Sequence, residues 1–131
     1  MSKLFRVLLM VLALSAVIAH AYSEEAQKNQ AFPAFWAQFK AAVAKKDKDA
    51  VAAMTKFPVE IGENVTKATF LKKYPEFFGQ EVQKCFAKKK PVKADAAPGG
   101  RESYSLFCGE EIFIFEKVDG KYLFTGIGVN D

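Results

Sequence analysis

"CGEEIFIFEKVDGKYLFTGIGVND" (residues 108–131) is the stretch whose reading decides the fold. Asp119-Gly120 sits between two alternating apolar runs, the composition of a two-residue hairpin turn, and Gly109-Glu110 suits a tight turn with glycine in the first central position. Two-residue turns pair Cys108 with Glu111 and Val118 with Lys121, and counting outward gives the register of three antiparallel strands. On that count one face carries Tyr104, Leu106, Cys108, Phe113, Phe115, Tyr122 and Phe124, with Phe113 opposite Gly126 and Phe115 opposite Phe124. The other carries Ser103, Ser105, Phe107, Ile112, Ile114, Glu116, Leu123, Thr125 and Ile127, with Phe107 across from Ile112 and Ile112 across from Ile127. The aromatic face is the natural seat for helices. Gly126 and Gly128 fall on it in this register, where missing side chains let a sheet bend around what it covers.

Upstream of the strands the periodicity is helical. "FPAFWAQFKAAVAKKD" (residues 32–47) places Phe32, Trp36, Phe39 and Val43 on one face, with Pro33 tolerated in a first turn, and "DKDAVAAM" (residues 47–54) adds a short helix that buries Val51 and Met54. "FPVEIG" (residues 57–62) reads as a strand ending in a turn, after which Thr66 can cap a helix carrying Phe70, Leu71 and Tyr74. Pro75 marks a break, and "EFFGQEVQKCFAKKK" (residues 76–90) is helical from Gln80, followed by a loop at "KKKPVKADAAPGG" (residues 88–100). This order predicts one small α+β domain over residues 22–131, with N-terminal helices packed on a curved antiparallel sheet.

Residues 1–21 read differently. Lys3 and Arg6 precede the uncharged apolar run "VLLMVLALSAVIA", and "AHA" supplies small residues ahead of Tyr22, so the segment predicts a secretory signal peptide cleaved after Ala21. Its apolar run is short of the about 20 residues that a membrane span needs, and none follows it, so no membrane span is expected after cleavage. The expected mature chain is exported, periplasmic or secreted, and its 110 residues (131 less 21) can bury one core. It carries 17 basic and 15 acidic residues, a net charge of about +2, which lacks the strongly basic face that nucleic-acid binding requires.

The only histidine, His20, lies in the segment expected to be removed. Ser-His-Asp and Cys-His catalysis and histidine-ligated zinc are thereby excluded for the mature chain, and no metal or cofactor is expected. An exported chain with two cysteines normally pairs them, and the register puts Cys108 on the face that the helix bearing Cys85 should cover, so a Cys85–Cys108 disulfide is expected over two free thiols or a bond between chains.

The helix pair "FxxFWxxFxxAVAKKDxxAVAAM", the "FPVEI" strand, a further helix and a bent sheet ending in "GKYLFTGIGV" together resemble the NTF2-like, or SnoaL-like, superfamily of cone-shaped α+β domains. The resemblance covers residues 31–129. It implies a pocket between the curved sheet and the helices, and dimers formed through the outer face of the sheet. The pocket Asp or His of that superfamily's isomerases and dehydratases has no counterpart here, because the mature chain lacks His and has no Asp between Asp49 and Asp95.

Two classes of function remain open. One is a noncatalytic exported domain that binds an apolar small molecule, with Trp36, Phe113, Phe115 and Phe124 around the ligand, or a protein partner. The other is a cofactor-free pocket enzyme that moves a proton with Glu60 and Tyr74 or Tyr104. No acid/base constellation appears at a spacing that demands catalysis, which favours the binding domain. Phe107, Ile112, Ile114, Leu123 and Ile127 would leave an apolar patch on the outer sheet face, suited to a second copy or another protein unless the chain's own N-terminal segment or long loop covers it. Lys88, Lys89, Lys90 and Lys93 fit a solvated helix end, and Asn64-Val65-Thr66 matches a glycosylation acceptor but fits helix capping better.

Overall fold

A computed structural model describes residues 30–96 and 99–131; the predicted signal peptide lies outside the described residues. Helix α1 spans Phe32–Ala44, α2 Lys48–Ala53, α3 Lys67–Lys72, α4 Tyr74–Phe77 and α5 Gln80–Lys88. The strands are β1 Thr55–Ile61, β2 Glu63–Val65, β3 Val92–Lys93, β4 Ser103–Cys108, β5 Glu111–Val118 and β6 Lys121–Val129. They form one sheet in the order β2-β1-β6-β5-β4-β3, so the α+β class expected from the sequence is the one observed.

Local chemistry sets most boundaries. Asp47 caps α2 by accepting from the Ala50 N–H at 3.1 Å, and Thr66 caps α3 by accepting from the Thr69 N–H at 3.3 Å. Past the end of α1, Lys46 N–H donates to the Val43 carbonyl and Asp47 N–H to the Ala42 carbonyl, both at 3.0 Å, the paired bonds of a left-handed helix stop. That stop holds Lys46 at φ 56°, where glycine is the usual occupant and a side chain costs about 1 kcal/mol. The segment read as an uninterrupted loop contains β3, which pairs Val92 with Ser105 and Lys93 with Tyr104 on the β4 edge.

The expected pairs Cys108–Glu111, Val118–Lys121, Phe107–Ile112 and Phe115–Phe124 all occur, but the count fails beyond Phe124. Phe115 faces Phe124 while Ile114 faces Gly126, so Thr125 is an extra residue and its hydroxyl donates to the Ile114 carbonyl at 3.3 Å. The bulge turns the rest of β6 over. Phe113 faces Ile127 rather than Gly126, and Ile112 faces Gly128 rather than Ile127. Ile127 therefore points inward and packs on the core, and the two glycines lie on the outer face.

The sheet is also mixed rather than wholly antiparallel, because β1 runs parallel to β6, pairing Glu60 with Gly126 and Ile61 with Ile127. That pairing is interrupted between Thr55 and Glu60, where Pro58 has no N–H to give. The start of β1 is fixed by α2: Thr55 Oγ1 donates to the Val51 carbonyl at 2.7 Å and Phe124 N–H to the Met54 carbonyl at 2.8 Å.

All the core side chains come from the helices and the inner sheet face. Phe39, Phe70, Phe113, Phe115 and Phe124 are fully buried. Phe32 stacks on Tyr104 with ring centroids 3.6 Å apart, Phe39 meets Phe115 edge-on at 5.1 Å, and Phe86 meets Phe113 edge-on at 5.0 Å. A Cys85–Cys108 disulfide, with Cα atoms 5.8 Å apart, ties α5 to the end of β4.

Two stability predictions follow from this geometry. A Cβ on residue 126 would lie 2.5 Å from the Glu60 carbonyl oxygen, so Gly126→Ala should cost about 1–3 kcal/mol as an overpacking change, read as a lower urea midpoint. Replacing both cysteines by serine should remove about 3 kcal/mol in the chain-entropy model, because the bridge closes a loop over a sequence separation of 23 residues. Chemical denaturation with and without reductant checks the second.

Candidate functional site

The outer face of the sheet is built from alternate residues of its six strands. Phe107 is 43% exposed, Val92 is exposed more fully, and Ile112, Ile114 and Leu123 are half-buried. Phe107 and Ile112 are directly paired, so four of the five residues expected in an outer patch share this face, and Ile127 is the one that leaves it. Ser103, Ser105 and Glu116 share the face as well.

Between β5 and β1 the face is hollowed into a cleft of about 510 Å³. Gly126 and Gly128 contribute to its lining, with Pro58, Glu60 and Asn64 on the β1–β2 side and Ile114 on β5. The hollow exists because the bulge put two residues without side chains outward. At its rim Arg101 Nε donates to Glu116 Oε2 at 3.1 Å, and Glu116 is 9% exposed, so this carboxylate is held by a cation rather than free to act as a base.

Glu60 is exposed and lines that outer cleft. Tyr104 is on the inner face stacked on Phe32, with its hydroxyl donating to Glu102 Oε1 at 3.2 Å, and Tyr74 packs among Phe70 and Phe78 on the helix side. The structure therefore does not bring Glu60 together with either tyrosine. Trp36, Phe113, Phe115 and Phe124 do come together, but as packed rings: Trp36 meets Phe115 at 5.7 Å, and Phe124 lies 5.7 Å from Phe115 and 6.1 Å from Phe113. Their rings occupy the space between sheet and helices where a ligand would have to fit. Among the described residues no group of three or more His, Cys, Asp or Glu side chains is placed to hold a metal ion.

A second hollow, of about 600 Å³, lies on the helix side, with Lys46, Lys72, Tyr74, Phe78 and Gln80 among its lining residues. Sequence reading did not connect these positions, since it gave Lys46 and Lys72 no role and left Tyr74 as a packed ring. The Tyr74 hydroxyl is buried and has no hydrogen-bond partner among the described residues. Burial, with the Asp47 carboxylate adding to it, pushes this hydroxyl up to about 12. Burial, followed by Glu102, also raises Tyr104 and Tyr122.

No family model, curated protein or solved structure matches this chain. Among the described residues, no helix is long and apolar enough to cross a membrane.

The raised tyrosines give the fold a definite alkaline limit. In the unfolded chain Tyr74 loses its proton near its ordinary value of 10, whereas the folded chain holds it to about 12. The folded state then binds more protons, so stability is complete below about pH 10 and falls as pH rises through that window. Urea midpoints measured across the window should decline, and Tyr74→Phe should make the decline shallower; a flat wild-type profile would contradict the assignment.

Proposed function

We propose that this protein is an exported, noncatalytic binding domain of the NTF2-like kind, which acts through a protein contact on the outer face of its sheet. The observation that carries this reading is the division of apolar surface. The inner face is consumed by ring-to-ring packing, and the remaining apolar side chains, Phe107, Ile112, Ile114 and Leu123, collect on the opposite face. Helices on one side of a curved sheet, in the order predicted from the sequence, support the NTF2-like assignment. The disulfide and the absence of a membrane-length helix among the described residues are compatible with export.

The occupant this face fits is a second copy of the chain. Its apolar centre is flanked by charges of both signs, Lys56 and Lys121 as well as Glu60, so a two-fold pairing can set opposite charges against each other around an apolar middle. The separation of Glu60 from Tyr74 and Tyr104 weighs against the proton-transfer alternative, and the filled core weighs against an apolar ligand held between sheet and helices.

Ile114→Lys puts an ammonium in the middle of the proposed contact without entering the core. Sedimentation of the mature chain should give a wild-type dimer and an Ile114→Lys monomer with an unchanged circular dichroism spectrum. A wild-type monomer at high concentration, or a dimer indifferent to the substitution, would overturn the reading.

A further inference from the structure

We infer that the groove on the helix side, between the α1–α2 turn and the start of α5, binds a small organic anion with an apolar body. Its volume, about 600 Å³, is within the range that small ligands occupy. The apolar part of the wall is contributed by Leu71, Tyr74, Pro75 and Phe78, and the Tyr74 and Phe78 rings stack face to face with centroids 4.9 Å apart.

The polar part is cationic. Lys46, Lys48 and Lys72 line the groove, none of them is in an ion pair among the described residues, and no acidic side chain is part of the lining. Asp47, the acid between two of them, caps α2 and its charge reaches the Tyr74 hydroxyl, but the three lysines of the lining outnumber it. Gly79 and Gln80 bring the first turn of α5 to the same place, and that helix start has no side-chain cap, so its N–H groups remain to attract negative charge.

Tyr74 supplies the observation that singles out this groove. Its side chain lines the groove, the residue is 5% exposed, and its hydroxyl has no hydrogen-bond partner among the described residues. A buried hydroxyl left in that state is unfavourable unless an acceptor arrives from outside the chain. The hydroxyl stays protonated through the physiological range and so keeps a proton to donate to an acceptor such as a carboxylate. In this structure it is shut off from bulk water. The acceptor must enter by moving part of the wall, and the turn carrying Lys46 in its left-handed conformation is the strained part of that wall.

The test uses 2-naphthoate as the probe and neutral 2-naphthamide as its isostere, titrated into the mature chain and followed by backbone amide NMR. Naphthoate should shift the amides of residues 46–48 and 79–83, and naphthamide should bind about tenfold more weakly. Tyr74→Phe should weaken naphthoate by about tenfold without lowering the melting temperature, because it removes a hydroxyl that no side chain satisfies. Lys46→Gly should weaken naphthoate while raising the melting temperature, since glycine suits that backbone. Ile114→Lys, on the other face of the sheet, should leave naphthoate affinity unchanged, so the fate of the dimer reading does not decide this one. Equal binding of acid and amide, unchanged affinity in Tyr74→Phe, or shifts confined to the outer sheet face would overturn the assignment.

Discussion

The extra residue at Thr125 is the constraint on which the rest of the sheet depends. Up to Phe124, β6 follows the period-two alternation set by the Asp119-Gly120 turn, with aromatic rings inward. The bulge then inverts the strand, and what arrives on the outer face is Gly126 and Gly128. Only a residue without a side chain lets the backbone of β1 lie against position 126, where the Glu60 carbonyl approaches. The parallel strand, its β2 hairpin partner and the hollow between β1 and β5 all follow from that one insertion, which also returns Ile127 to the core beside Ile61.

The core itself is a lattice of aromatic rings. Phe115 touches the rings of Phe32, Phe35, Trp36, Phe39 and Phe124, so helix α1 and the centre of the sheet share one set of contacts. Flat rings set edge-on leave little room for anything else, which is why an inner face this apolar serves cohesion rather than reception. The polar tips of the tyrosines are treated in two ways. Tyr104 reaches Glu102 near the sheet margin, whereas Tyr74 is enclosed by helices and meets no acceptor among the described residues.

Much of this was legible in the chain. The turns at 109–110 and 119–120, the cap at Thr66, the α1 stripe and the Cys85–Cys108 pairing each rest on local spacing or on a forced pairing of two residues, and local chemistry decides them. The bulge was not legible, because threonine followed by glycine, isoleucine and glycine continues the alternation acceptably either way. Its cause is tertiary: β1 must dock beside β6, and a strand whose last residue, Ile61, lies 64 positions upstream leaves no mark on the spacing near Thr125. The same holds for Tyr74. Its place in a helical stripe was evident, but its lack of a partner depends on how the α1–α2 turn lies over it, and Lys46 betrays nothing of its left-handed backbone by being a lysine.

The ends of the sheet carry one more consequence. Its longest strands, β5 and β6, are interior, while the outermost are β2 with 3 residues and β3 with 2. Beyond β3, the β4 carbonyl of Phe107 is taken by the Lys89 ammonium at 3.2 Å, and the disulfide anchors α5 beside it. Beyond β2, the margin of β1 includes Pro58, which has no hydrogen to offer. Neither rim presents the long row of unpaired amides that would template an incoming strand. A chain this rich in alternating aromatic and β-branched residues is thereby guarded against runaway lateral growth into fibrils, and that protection rests on a lysine, a proline and two very short strands.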